Sequence, residues 1–477
     1  METTHSPYAP VTPAIVAQLQ TMVGPQHVIF GDAERMQDYS HDEVAGTDYA
    51  HMPEVVVKPA SAAEISEIMK LANRERIPVT PRGAGSGLSG GAVPVFGGIL
   101  LSVERMNHIL EIDCENLFVV VEPGVVTNAI NDAVQEFGLF YAGYPMSVEM
   151  CFIGGNVAEN AGGGRAIRYG VTSRYVMGLE VVLPTGEIVQ MGGKRVKDVT
   201  GYDVVHLMVG SEGTLGIFTK IILRLMPQPV ARAVLLVPFA DIPSAIGVVP
   251  RIMTRGRIIP SSIEFMDRLT VDTAYAYVGE TPPHKDIGAM LLLEVDAFSE
   301  TQAEAEYTSM VDLCNEAGAL DVFVGDSPAK IKKMWRPRQV AAEAFKAIAP
   351  DQSAEDLVVP LAQIPTFVSE VERLSQAHGV MMPVFGHAGD GNLHVHVLRK
   401  AEISPAEWGA RLPGILEELY RVVAGLGGTI SGEHGIGSKR ARYLSIALDP
   451  TLIALQKRIK LAFDPLSILN PGKIFPT

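Results

Sequence analysis

The sequence predicts an α+β protein of two domains, with a C-terminal piece that carries motifs of its own. Three observations support this. Up to about residue 225, short Val-, Ile- and Leu-rich strands alternate with glycine-rich turns. Met226-Pro227-Gln228-Pro229 then interrupts any regular element. Beyond it, apolar strands alternate with amphipathic helices. The expected organisation is a helical lead-in over residues 1–50, a first domain over 51–228 and a second over 229–477.

In chain order, Ala14 to Val23 reads as a helix and Val55 to Pro59 as a buried strand. From Ala62 to Arg74, Ile65, Ile68, Met69, Leu71 and Ala72 recur at helical spacing, with Ser61 placed to cap. Strands are expected at 77–80, 99–102, 117–121, 179–183 and 219–223. After the junction, strands are expected at 233–237 and 289–295, and helices at 301–317 and 364–378.

Composition removes several function classes. The chain has 39 basic and 54 acidic residues among 477, a net charge of −15, which argues against a phosphate-backbone partner. No nucleic acid is expected. Cys114, Cys151 and Cys314 form no C-x-x-C, so neither a disulfide framework nor a resident iron–sulfur cluster is expected. The N-terminus lacks secretory features. No apolar run reaches the ~18–20 residues of a membrane helix. A soluble, cytoplasmic protein is the expectation.

Pro81-Arg82-Gly83-Ala84-Gly85-Ser86-Gly87-Leu88-Ser89-Gly90-Gly91 contains a formal G-x-G-x-x-G. A nicotinamide dinucleotide fingerprint needs a helix to open at that loop. Here Pro94 and the pair Gly97-Gly98 follow instead, so that site is rejected. Successive small residues can still turn backbone N–H groups towards phosphates, and Arg82 adds a fixed charge. Ile153 to Gly164, with Gly154, Gly155, Asn156 and Asn160, and Val209 to Ile217 are two further such stretches. Three of them, all expected between strands, suggest one long cofactor lying against backbone. A flavin dinucleotide is the natural candidate.

With GHAGDGNLH, SGEHGIG and NPGK, these motifs resemble the FAD-dependent 2-hydroxy-acid dehydrogenases of the vanillyl-alcohol oxidase and p-cresol methylhydroxylase type. Within that group the similarity is to FAD subunits of bacterial glycolate oxidase and to D-lactate and D-2-hydroxyglutarate dehydrogenases. It runs from about residue 50 to the C-terminus. The resemblance implies a two-subdomain FAD-binding domain of the p-cresol methylhydroxylase (PCMH) type, then an α+β substrate-binding domain. A C-terminal segment returns to the flavin. It assigns FAD contacts to Arg82, Gly83, Ala84, Gly85, Ser86, Gly87, Pro145, Ser147, Gly154, Gly155, Asn156, Asn160, Gly216, Ile217 and Asn470. Several superfamily members tether FAD through a histidine near the first loop. Residues 81–91 contain none, so non-covalent FAD is expected.

The second half supplies the chemistry. Asp390-Gly391 is a turn dipeptide between His387 and His394, so the two imidazoles can converge across a fold-back. His394 and His396 are two apart and face the same way on a strand. Ser431 to Gly437 adds Glu433 and His434. Two imidazoles and a carboxylate with an open position make a common catalytic metal site, although histidines beside glycine turns also serve as caps. The resemblance implies that His387, His394 and Glu433 ligate a divalent metal (Zn, Mn or Fe) and that His434 is the base. It assigns the substrate carboxylate to Arg338, with Arg336 as an adjacent rival.

Two departures bear on the substrate. Ser353-Ala354-Glu355 stands where dicarboxylate-specific relatives carry a lysine. His396, a further substrate-binding candidate, stands where those relatives carry asparagine and glycolate-type ones an apolar residue. The expected activity is oxidation of glycolate or D-lactate. Electrons would pass to a separate iron–sulfur subunit, electron-transfer flavoprotein or quinone, with any membrane association made through that partner. The rivals are a D-2-hydroxyglutarate or other D-2-hydroxy-acid dehydrogenase, an FAD-using alkyl-transfer synthase, and a non-catalytic flavin subunit.

Overall fold

The computed structural model describes residues 7–44, 46, 49–143 and 145–476. The chain divides into two compact units. The first holds Met1–Gly162, Val171–Pro227 and Glu433–Thr477, and the second Gly163–Gly170 and Gln228–Gly432.

In the first unit, the helix Ala62–Glu75 starts where Ser61 Oγ accepts the Glu64 N–H at 3.2 Å. Its apolar face (Ile65, Ile68, Met69, Leu71, Ala72) packs with Val55, Val57, Val79, Ile99 and Leu101 in one core. Ile468 and Leu469, from the far end of the chain, complete that core. Among the described residues the sheet beneath it has four strands, in the order Val28–Ile29, Val55–Val57, Ile99–Ser102 and Val79–Arg82. The last three run parallel. The Val79–Arg82 strand starts two residues later than the sequence suggested, because the Ile77 N–H still bonds the helix carbonyl of Ala72 at 2.9 Å. Residues 83–98 form turns with no helix, as Pro94 requires. A second, antiparallel sheet runs Ile109–Asp113, Phe118–Val121, Ile217–Arg224, Val176–Val182 and Ile188–Gly192. One expectation is corrected: the second glycine stretch opens as a short helix, Ile153–Glu159, rather than as a loop between strands. Phe152 enters it extended and Asn160 leaves it left-handed, at φ 52°.

The second unit is built on an antiparallel sheet. Among the described residues its order is Phe323–Gly325, Ala231–Phe239, Ala289–Ala297, Ser262–Asp267, Val384–His387, Asn392–Leu398 and Gln352–Val358. Register decides what each face carries, since side chains alternate. Cross-strand pairing sets Glu294 opposite Ser262, Glu264 opposite His387, Phe385 opposite His394, and Asp356 opposite His394. One face therefore presents a polar row: Arg232, Asp296, Glu294, Ser262, Glu264, His387, Asn392, His394 and Asp356. Beside it runs an apolar row of Val234, Leu236, Leu292, Met290, Met266, Phe385 and Leu398. The helices Arg268–Val278, Pro328–Gln339 and Ala341–Ile348 cover that row through Val271, Tyr275, Ile331, Trp335 and Phe345.

Candidate active site

The first unit gathers its glycine stretches. A Cβ placed on Gly83 would lie 3.6 Å from Phe152 Cβ and 3.7 Å from Gly155 N, so the first and second stretches face each other. The Glu212 N–H bonds Ala158 O at 2.8 Å, which joins the third stretch to the second. Asn470 Nδ2 donates to Gly91 O (3.0 Å) and Glu212 O (2.8 Å), tying the C-terminal segment to the first and third. Gly155 has open space on its Cβ side. The buried Asn470 Oδ1 and Ser211 Oγ have no hydrogen-bond partner among the described residues. Exposed backbone and unsatisfied buried polar atoms fit a bound FAD.

Several assigned residues hold the cradle's shape. The buried Arg82 guanidinium donates to the carbonyls of His41 (2.7 Å) and Asp38 (2.9 Å), and a Cβ on Gly85 (φ +75°) would overlap it. Ala84, Ser86 and Gly87 continue that turn. Asn156 Nδ2 donates to Thr127 Oγ1 at 2.7 Å, and Asn160 Oδ1 accepts the Ser173 N–H at 2.9 Å. Gly154 lies against Pro123, where a Cβ would stand 2.6 Å away. Gly216 is wedged against Val181, and Ile217 opens the strand paired with Val182. Pro145 and Ser147 are half-buried, and Ser147 O accepts the Met150 N–H at 2.9 Å.

Glu433 and His434 lie on a bent segment of the same unit, with His434 Nε2 3.9 Å from Glu433 Oε1. Adjacent residues on a straight strand would point apart. The bend continues through Gly435 at φ +85°, where a Cβ would overlap Glu159 Oε2. Glu212 accepts the N–H groups of Ile436 (2.9 Å) and Gly437 (2.6 Å), which anchors the next turn. Burial, then the Glu212 charge, holds Glu159 well above the usual carboxylate range.

In the second unit the His387 and His394 rings converge, with centroids 5.3 Å apart and planes at 88°. His394 Nδ1 is 3.9 Å from Asp356 Oδ1. Asp356 is fully buried and accepts from Asn392 Nδ2 (2.7 Å), Ser431 Oγ (2.9 Å) and Gly432 N (2.8 Å). Imidazoles next to a buried carboxylate suit a divalent transition metal. Arg338 is buried, 4.6 Å above the Phe385 ring, whereas Arg336 on the same helix is exposed. Arg338 Nε (2.8 Å) and Nη2 (2.7 Å) reach Glu264 Oε2, and His387 Nδ1 reaches Glu264 Oε1 at 2.7 Å. Burial alone would raise Glu264. The charges of His387 and Arg338, with hydrogen bonds from His387 and Ser262, outweigh it and hold the group at about 2. His396 lies farther along the face, its ring 5.0 Å from Phe345 and 5.4 Å from Phe385, with Nδ1 2.7 Å from Gln352 Oε1.

Glu264, Asp356 and Gln352 are site residues that sequence reasoning missed. Gln352 and Asp356 share one strand with Ser353 and Glu355, and Glu264 shares its strand with Ser262 and Asp267, so residue type alone does not single them out. Only the pairing register brings them beside the histidines.

A PCMH-type fold with a glycine-lined dinucleotide cradle defines the class as FAD-binding flavoproteins. Residues 53–192 match the FAD binding domain family, and 228–474 match the FAD linked oxidases, C-terminal domain. The chain belongs to the FAD-linked oxidase family. It is 39% identical over 471 residues to the glycolate oxidase subunit GlcD of Bacillus subtilis (strain 168), covering 98% of this chain and 97% of that protein. It is 38% identical over 472 residues to a D-lactate dehydrogenase of Anaerostipes hadrus, covering 98% of each. p-Cresol methylhydroxylase with substrate bound shares the fold, with a TM-score of 0.79 at 18% identity over 97% of this chain and 96% of that one. Among the described residues no helix is long and apolar enough to cross a membrane.

Proposed function

We propose that the protein is an FAD-dependent dehydrogenase that oxidises glycolate or D-lactate to the 2-oxo acid and passes the electrons to a separate acceptor. One observation carries this reading. A buried guanidinium, Arg338, reaches from its helix to the sheet face that carries an imidazole pair, and Glu264 joins it to His387. A 2-hydroxy acid calls for that pairing: a planar cation for its carboxylate and a polarising centre for its hydroxyl. Bound FAD would supply the hydride acceptor, and a divalent metal the charge that eases loss of the hydroxyl proton.

His387, His394 and Glu433 are the proposed ligands, and the glycine cradle holds FAD without a covalent bond. Glu433 follows directly on Gly432, whose N–H is fixed by Asp356 beside His394. Arg338 orients the substrate carboxylate. His434 takes the hydroxyl proton, a role worth ~10²–10⁴ in rate. His396, steadied by Gln352 and two phenyl rings, lines the side of the site that meets the substrate's remaining substituent. Ala354, paired with His396, brings no cation to that side, which favours a monocarboxylate over 2-hydroxyglutarate. The acceptor is an iron–sulfur subunit, an electron-transfer flavoprotein or a quinone, consistent with a relative named as a subunit, and the setting is cytoplasmic.

Dye-linked assays against D- and L-2-hydroxy acids and para-substituted phenols test the reading. Turnover of D-lactate or glycolate, with 2-hydroxyglutarate poorer, is expected. Turnover confined to phenols would overturn it.

A further inference from the structure

We propose that Glu264 is a positioning residue serving both halves of the site, aligning His387 for metal binding and Arg338 for the substrate carboxylate. This rests on the ligand and carboxylate roles proposed above. The geometry comes from one cross-strand pair, Glu264 opposite His387, with the Arg338 helix laid over it. Glu264 is fully buried and its two oxygens divide the work. Oε1 receives His387 Nδ1 at 2.7 Å and Ser262 Oγ at 3.0 Å, and Oε2 receives Arg338 Nε and Nη2 at 2.8 and 2.7 Å.

With Nδ1 bonded to Glu264 Oε1, Nε2 is the ring nitrogen that would bind a metal once the imidazole is neutral. The same carboxylate takes two of the five guanidinium N–H groups and fixes the plane of the rest over Phe385. Gly164 closes the third side: a Cβ there would overlap Glu264 Oε1 and stand 3.2 Å from Ser262 Oγ. The carboxylate therefore has little room to rotate away from either partner. A change at this one residue should weaken metal affinity and substrate binding together.

The test uses FAD-loaded protein and the variants Glu264→Gln, Ser262→Ala, His387→Ala and Glu294→Gln. Glu294 is an equally buried carboxylate on the same face, paired with Arg165, Arg232 and Trp335 Nε1 instead. Zinc and manganese titrations followed by elemental analysis read metal affinity independently of activity. Glu264→Gln is expected to weaken metal binding roughly 10–100-fold, the usual effect of losing such a partner, and to raise KM for D-lactate more than it lowers kcat. Glu294→Gln is expected to lower Tm while leaving metal affinity unchanged.

Equal metal affinity in Glu264→Gln and wild type, with His387→Ala metal-free, would overturn the positioning role and leave the ligand assignment standing. Metal retained in His387→Ala would overturn the ligand assignment itself, and the positioning role with it. Should Glu264→Gln fail to fold, Ser262→Ala decides. It removes one donor from Oε1 and is expected to shift metal affinity a few-fold with Tm nearly unchanged, whereas no shift would count against the proposal.

Discussion

Asp267 splits its carboxylate between two duties, with Oδ1 capping the helix Arg268–Val278 at the Thr270 N–H (2.7 Å) and Oδ2 accepting the Val384 N–H (2.9 Å). Burial raises its pKa to about 6, against the opposing pull of those bonds. The folded chain therefore keeps a proton on Asp267 between about pH 4 and 6 that the unfolded chain has released. Stability falls as pH rises through that window, by about 3 kcal/mol at most. Asp267→Asn is expected to remove this slope, costing about 1 kcal/mol at pH 4.5, where its amide nitrogen cannot accept the Val384 N–H, and matching or exceeding wild type at pH 7, where wild type buries a charge. Urea unfolding of both proteins at pH 4.5 and 7 measures it. At the same scale, His387, His394, His434 and Arg338 stand out as candidates in the sequence because their residue types and motifs are distinctive. Glu264 was not, because one glutamate in Ser-Ser-Ile-Glu-Phe-Met-Asp carries no signal until the partner strand is known. Arg82 was read as a phosphate charge, and in the structure its guanidinium reaches the carbonyls of Asp38 and His41. Arg82→Ala is accordingly expected to lower FAD occupancy through loss of loop shape, measured as the flavin-to-protein ratio after purification.

The hairpin from Val384–His387 to Asn392–Leu398 is the element on which the histidine pair depends. Its turn needs Gly391 at φ +83°, where a Cβ would collide with Val359 O. Gly391→Ala is expected to cost about 2 kcal/mol or more from the backbone conformation and the contact together. Urea unfolding measures the cost, and elemental analysis is expected to show less bound metal. The turn dipeptide and the two-residue alternation made this hairpin readable in the sequence. What they left open was the neighbour on each side, since strand order is a long-range property. The helix Ile153–Glu159 was missed for a different reason: Gly154 and Gly155 are poor helix formers, and tertiary contact with Pro123 overrides their propensity.

At the scale of the whole chain, the segment 433–477 belongs to the first unit, although more than 200 residues of the second precede it. Ile468 and Leu469 are fully buried in the first core, and Asn470 N bonds Val79 O at 2.7 Å. Those two side chains alone stand for roughly 3–6 kcal/mol of burial. A chain ending at Asp464 is expected to purify without flavin, measured as FAD released per polypeptide. Motif order gave a hint of this return, since NPGK accompanies the glycine loops in the resembling proteins, but local pattern could not supply the contacts. The measurement closest to the proposed function is anaerobic single-turnover mixing of FAD- and metal-replete protein with D-lactate or glycolate. Bleaching of the oxidised-flavin absorption is expected with at least one of them. His434→Ala is expected to slow it by roughly 10²-fold or more while keeping FAD and metal. Failure of every 2-hydroxy acid to bleach the replete protein, or undiminished bleaching in His434→Ala, would contradict it.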